Sequence, residues 1–407
     1  MSGQKAARVA WRGLPASVWA LGFGSLFTDI SSELIHSLLP VFMVTCLGAS
    51  MLMVGVIEGV AEATAAVLKA FSGALSDRLG RRKLLMVLGY ALSATTKPLF
   101  PLASSVGLVF TARFADRLGK GIRVAPRDAL VAELAPPERR GAAYGLRQAL
   151  DSVGAFAGPL LAVALMACFT GDIRTVLWAG VVPALIGVLI LVVYVREPGT
   201  APGEQKDGSR GARLSLSDIG QLPLRYWGVV ALGGVFTLAR FSEAFLVLRA
   251  QDVGLPAGQV PFVLVAMNVL YATAAFPAGA AADRVSRRTL LLFGLVLLIA
   301  ADIVLAYAGS PLVVFGGAAL WGTHMALTQG LLSKLVADTA PRHLLGTGFG
   351  VFNVVSGAML LLASVIAGSL WSAAGPSATF LAGAVFAALA AAGIWIVEKR
   401  DGLSTGP

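Results

Sequence analysis

Three ionisable side chains, Asp29, Glu33 and His36, stand at spacings of four and three near the start of the chain. In a helix that spacing puts them on one face, and two carboxylates beside an imidazole can take up and release protons when shielded from bulk water. Glu58 and Glu62 repeat the four-residue spacing, with Lys69 two turns on; Arg113, Asp116, Arg117, Lys120 and Arg123 recur on one side of a later segment, and Arg147 and Asp151 follow. The remainder of the chain is sparser, with Arg240, Glu243, Asp302, His324 and Lys334. No G-x-x-x-x-G-K-[ST] phosphate loop, H-E-x-x-H zinc helix or nucleophile–base arrangement accompanies these groups, so neither an enzyme nor a metal or cofactor is expected. Cys46 and Cys168 are too few for a disulfide framework or zinc cluster and read as small apolar fillers rather than a soft-metal site.

The elements that must carry these groups follow from composition. Of 407 residues, 57% are hydrophobic and 13% charged, against about 25% charged in soluble domains. Apolar stretches recur from Leu14 to Val397, each able to cross a ~30 Å hydrocarbon layer at about 20 residues per helix. They are unbroken, unlike the ~10-residue alternating strands of a membrane β-barrel, so the fold class is an all-α integral membrane protein. Twelve transmembrane helices are expected, at about 16–44, 51–75, 83–104, 107–132, 141–168, 174–195, 226–249, 257–281, 288–308, 311–336, 345–371 and 374–397. The start of the chain reads as a retained first helix, too long for a signal segment. The net charge of +10 then reflects orientation rather than nucleic-acid binding. Basic residues gather in alternate links (Arg78/Arg81/Arg82/Lys83, Arg139/Arg140, Arg284/Arg287/Arg288, Arg342/His343), and the intervening links are uncharged or nearly balanced. This places those links and both termini on the cytoplasmic side of a cell (inner) membrane.

The stretch from Glu197 to Gln221 is rich in Gly, Pro, Ser and charge and lies near the midpoint. It divides the chain into an N-terminal six-helix bundle (1–195), a cytoplasmic linker (196–225) and a C-terminal six-helix bundle (226–407). The halves repeat: GALSDRLGRR at Gly73–Arg82 returns as GAAADRVSRR at Gly279–Arg288, and LVAELAPPERRGAAYG at Leu130–Gly145 returns as LVADTAPRHLLGTGFG at Leu335–Gly350, at nearly the same offset. On these residues the chain resembles the major facilitator superfamily over nearly its whole length. The link after span 2 fits that superfamily's G-x-L-x-D-R-x-G-R-[RK] signature at Gly73, Leu75, Asp77, Arg78, Gly80, Arg81 and Arg82; the second copy departs at Ala281 and Ser286. RLGKGIRVA (Arg117–Ala125) is similar to the family's R-x-x-Q-G-x-G-A-A, with Lys120 for Gln and Arg123 for Gly. GAFAGPLLA, with Gly154, Gly158 and Pro159, is similar to the G-x-x-x-G-P-x-x-G element associated with antiporters.

The resemblance implies a major facilitator fold of two pseudo-symmetric six-helix bundles, in which spans 1, 4, 7 and 10 line a central cavity, working by alternating access. The expected function is secondary transport of a small-molecule substrate by proton-coupled efflux (antiport). The alternatives are proton-driven uptake of an anionic metabolite, suggested by Arg113, Arg117, Lys120 and Arg123, and a non-transporting receptor or sensor, for which no signalling domain is visible. Charge inside a bilayer costs ~2.5–3.5 kcal/mol per group on insertion scales, so such groups face a cavity or one another. Glu33 is the expected coupling carboxylate, with Asp29 as neighbour, Arg117 as switching partner and His36 as relay or packing residue; Glu58, Glu62 and Arg113 complete the polar set. A static ion-pair network is the competing reading. By internal alignment Glu62 corresponds to Asn268 and Asp151 to Ser356, so the second half, with Arg240, Glu243, Asn268 and His324, is expected to contribute substrate contacts. The resemblance also implies a cytoplasmic latch at Gly73, Asp77, Arg78 and Arg81, echoed by Asp283 and Arg284. Lys97 and Lys334 read as snorkelling toward an interface. The partners expected are membrane lipid, protons and the substrate, with no nucleic acid, and the protein is expected to be a monomer.

Overall fold

The computed structural model describes residues 13–197, 216–282 and 285–401. Among the described residues the chain is helical with short connections and no strand. The first half runs α1 (Ala16–Leu47), α2 (Met51–Leu79), α3 (Arg82–Thr96), α4 (Leu99–Leu102), α5 (Val106–Leu134), α6 (Arg140–Cys168), α7 (Ile173–Ala179) and α8 (Val181–Tyr194). After α9 (Leu216–Ile219) come α10 (Leu224–Leu238), α11 (Ala244–Asp252), α12 (Phe262–Ala282), α13 (Arg287–Ala306), α14 (Pro311–Thr339), α15 (Leu345–Ala374) and α16 (Pro376–Asp401). Eight helices among the described residues are long and apolar enough to cross a membrane, and two shorter apolar helices accompany them. Each expected span is occupied by one helix or by two in succession.

The doubled spans have local causes. Span 3 breaks between α3 and α4 at Lys97–Pro98, where Pro98 has no N–H to donate. Span 6 breaks at Gly180, two residues before the Val182–Pro183 bond; Ser31 on α1 donates to the Gly180 carbonyl at 2.6 Å. Span 7, expected as continuous, is interrupted from Ala239 to Glu243 without a proline. Here Ser242 Oγ accepts from Ala244 N–H at the start of α11, and Ser242 N–H donates to Ser364 Oγ, both at 3.3 Å. These side-chain bonds replace helical ones that the break forfeits.

Contact divides the chain into two compact units. One holds the residues up to His36 and from Val67 to the linker, with a core of Val18, Leu21, Met86, Tyr90, Leu130, Val131 and Leu146. The other holds Ser37–Ala66 and the residues beyond the linker, with Leu222, Tyr226, Val230, Val336, Ala340 and Leu344 packed together. The sequence reading assigned Ser37–Ala66 to the first bundle. Small residues explain their packing here: a Cβ on Gly368 of α15 would stand 2.5 Å from the Met51 carbonyl oxygen, and Gly357 abuts Ala63 and Ala66. Helices that meet through small residues gain close van der Waals contact that lipid cannot match. The outward faces carry Val182, Leu185, Leu189 and Val193 on α8, all more than half exposed, as suits a lipid-facing surface.

Candidate functional site

The polar interior of the first unit is built where α1, α3, α5 and α6 converge. α1 and α6 meet through two glycines. A Cβ on Gly154 would lie 2.8 Å from the Cβ of Asp29, and one on Gly158 would lie 2.7 Å from the Cβ of Glu33 and 2.8 Å from the Ile30 carbonyl oxygen. The four-residue spacing of the glycines thus matches that of the carboxylates, and each glycine backs one of them. α3 and α5 also touch backbone to backbone, at Gly89 and Gly119.

The basic residues of α5 are distributed in layers. In the outermost, Lys97, 1% exposed, donates to Asp116 Oδ1 at 2.9 Å and to Ser32 Oγ of α1 at 3.0 Å, and Arg117 Nε lies 4.0 Å from Asp116 Oδ2. Snorkelling is therefore wrong for Lys97: with helical backbone angles it continues the buried α3 face of Met86, Tyr90 and Ser93, and Asp116 compensates its charge. One layer on, the Arg123 guanidinium sits 4.5 Å over the Tyr90 ring and donates to Ser93 Oγ at 2.6 Å, while Ser93 Oγ donates to the Asp116 carbonyl at 3.1 Å. In the third, Arg127 donates to Ser25 Oγ at 2.6 Å, Ser25 donates to Asp151 Oδ1 at 2.7 Å, and Arg147 reaches Asp128 at 2.5 Å and Asp151 at 3.5 Å. Arg147 and Asp151 are thus an intrahelical pair, as their spacing suggests, but also part of a wider network. Asp29 lies within the field of Asp151, Arg123, Arg127 and Lys120.

Glu33 follows Ser32 at the level of the first layer. His36 Nδ1 is 3.7 Å from its Oε2, and Lys120 and Arg117 act on it electrostatically. Arg113, 2% exposed, continues the basic face of α5. The structure thus brings Asp29, Glu33, His36, Arg113, Arg117, Gly154 and Gly158 into one unit, and Pro159 follows inside α6. Glu58, fully buried, and Glu62 lie on α2 within Ser37–Ala66 and so belong to the other unit. Sequence reasoning missed Ser25, Ser32, Arg127 and Asp128. The four-residue steps Arg113–Arg117 and Arg123–Arg127, together with the serine stripe Ser25–Ser32 on α1, were the available signals.

In the second unit Arg240 and Glu243 fall in the break between α10 and α11, and Arg240 feels Glu243 and Tyr271. Breaks of this kind in membrane helices are tolerated where backbone lines a cavity or is buried in protein. Asn268 is half-buried on α12. His324 is fully buried: its Nδ1 is 2.7 Å from the Gly294 carbonyl oxygen, and its ring stacks on Phe236 at 5.5 Å. Gly73 and exposed Arg81 flank the end of α2 and the start of α3. Asp283 and Arg284 lie outside the described residues, as do the side chains of Asp77 and Arg78. Among the described residues no cluster of His, Cys, Asp or Glu could hold a metal ion, and Cys46 and Cys168 are exposed free thiols.

Comparison with known proteins agrees with this architecture. An uncharacterized MFS-type transporter of Methanocaldococcus jannaschii is 32% identical over 384 residues, spanning 92% of this chain and 93% of the relative. Multidrug resistance protein MdtH of Yersinia pestis is 30% identical over 164 residues, covering 39% of this chain and 41% of that one. The crystal structure of a bacterial homolog of the human lysosomal transporter Spinster superposes with a TM-score of 0.74 at 15% identity, covering 94% and 96% of the two chains. The Major Facilitator Superfamily profile matches residues 21–248 and 230–406, and the chain therefore belongs to that superfamily of multi-pass membrane transporters.

Proposed function

We propose that the protein is a proton-coupled secondary transporter that exports a small molecule by antiport, with Glu33 as the coupling carboxylate. The observation that carries this reading is the seating of Glu33 and Asp29 against Gly158 and Gly154. The antiporter-like element of α6 packs directly against the two carboxylates of α1, with Lys120 and Arg117 acting on Glu33 from α5. A carboxylate so placed gains or loses a proton when its distance to the cations changes, and alternating access supplies such a change. Asp29 and His36 assist as neighbouring proton acceptors. Similarity to a protein named for multidrug resistance supports efflux.

Glu58, Glu62, Arg240, Glu243, Asn268 and His324 are assigned to the substrate and ion path. The Gly73–Arg82 motif, with Asp283 and Arg284, is assigned to a cytoplasmic latch between two six-helix bundles. A second reading, uptake of an anionic metabolite, draws on buried Arg113 and Arg117 along one face of α5. The test is reconstitution into liposomes containing trapped pyranine, with ethidium and a panel of small organic anions as probes. Ethidium extrusion coupled to proton entry supports export, while proton entry together with an anion favours uptake. Transport of any panel compound at a rate indifferent to the pH gradient contradicts both.

A further inference from the structure

The second unit contains a carboxyl group with no role in the scheme above. Asp302, on α13, is 0% exposed, and neither Oδ1 nor Oδ2 has a hydrogen-bond partner. Among the described residues no charged side chain is close enough to act on it. A cluster of aromatic rings lies beside it. α16 approaches so closely at Gly383 that a Cβ there would lie 2.7 Å from Asp302 Oδ2 and 3.0 Å from Cε1 of Phe241. Phe241 in turn packs on Trp321 and Phe380 at 5.4 Å each, and on Phe245 at 5.6 Å. Two of the charged or titratable groups on adjoining elements are engaged elsewhere. Arg249 of α11 donates to the carbonyls of Leu305 and Ala308 and pairs with Asp252. His324 of α14 is bonded to Gly294, two turns along α13 from Asp302. Arg240 and Glu243 flank Phe241 in the break, and α16 presents no charged residue level with Gly383.

An ionised carboxylate cannot persist without water, hydrogen bonds or a counter-charge. A carboxylic acid can. The cover over this one is also unusual, because Phe241 sits in the non-helical stretch between α10 and α11, where the continuous hydrogen bonding of a helix is interrupted. The geometry points to Asp302 as a second proton-carrying site, neutral while Phe241 and Gly383 enclose it and exchanging its proton when the α10–α11 break moves Phe241 aside. The inference rests on the reading of the chain as a proton-coupled transporter but not on the assignment of Glu33. The step balances simply: the Asp302 O–H bond breaks, its proton passes to entering water, and the carboxylate left behind is solvated by that water until the cover closes and the proton returns.

Infrared difference spectroscopy on the full chain in liposomes tests this with protons and deuterons as the only probes. The wild type should show at neutral pH a protonated-carboxyl C=O band that Asp302→Asn lacks and Glu33→Gln retains. In deuterated buffer that band should shift slowly in the wild type and about tenfold faster in Phe241→Ala, because opening limits exchange. A pH jump reported by pyranine should show a slow proton-binding phase that Asp302→Asn lacks. Absence of any band difference between wild type and Asp302→Asn overturns the proposal, as does a band that never exchanges. Should Asp302→Asn fail to fold, Phe241→Ala decides: exchange at the wild-type rate overturns the proposal. Loss of coupling in Glu33→Gln tests the transport reading separately and leaves these spectra unchanged.

Discussion

Gly158 of α6 lies against Glu33 of α1 so closely that a single added methyl would stand 2.7 Å from the Glu33 Cβ. Gly154 bears the same relation to Asp29 one turn earlier. The small residues of α6 therefore allow α1 to approach most closely at the two carboxylates.

Gly158→Ala should push α1 and α6 apart at Glu33, lowering the stability of the detergent-solubilised protein by about 1–3 kcal/mol, as overpacking does. Flux should fall with it. Gly145→Ala on the same helix, where nothing lies within 4 Å of an added Cβ, should leave both near wild type. Equal thermal shifts in the two variants would show that the close approach is not under constraint.

The Lys97–Asp116 pair should behave as a buried ion pair. Lys97→Met leaves the Asp116 charge with only Arg117 and Arg113 as compensation and should destabilise by about 3–5 kcal/mol. Lys97→Met with Asp116→Leu should recover most of that loss in the same unfolding assay. Additive losses in the double variant would contradict the pairing.

Orientation is testable by labelling once the exposed native thiols, Cys46 and Cys168, are replaced by serine. A cysteine at Arg342 should react with a membrane-impermeant maleimide only from the cytoplasmic side, and one at Ala373 only from outside; both positions are exposed. Labelling of position 373 from the cytoplasm would reverse the orientation drawn from the basic links.

How far the sequence reached can be judged from particular residues. Helix positions and the Asp29–Glu33–His36 stripe were legible because spacing alone decides which face a helical residue occupies. The glycine–carboxylate match between α6 and α1 was not, since spacing on one helix says nothing about its register against another. Lys97 was misread because snorkelling was set ahead of helical spacing, although Lys97 continues the buried α3 face of Met86, Tyr90 and Ser93 that leads to Asp116. The interruption from Ala239 to Glu243 contains no proline or glycine, so nothing local announces it. It is held by Ser242 and Ser364, residues 122 positions apart.

The latch makes a kinetic prediction. Asp77→Asn should slow flux several-fold more than it weakens probe binding, because a latch biases facing states rather than the site. Binding measured by thermal shift and flux measured in liposomes separate the two. Flux equal to wild type would reduce Gly73–Arg82 to a topology signal.

The most direct measurement is pH-driven flux by Glu33→Gln in liposomes, with Asp29→Asn and Glu62→Gln alongside. Gln imitates a permanently protonated carboxyl, so probe binding and counterflow should persist while flux driven by the pH gradient disappears; Asp29→Asn should show a smaller loss. Full pH-driven flux in Glu33→Gln, together with its loss in Glu62→Gln, would contradict the account and move the coupling site to α2.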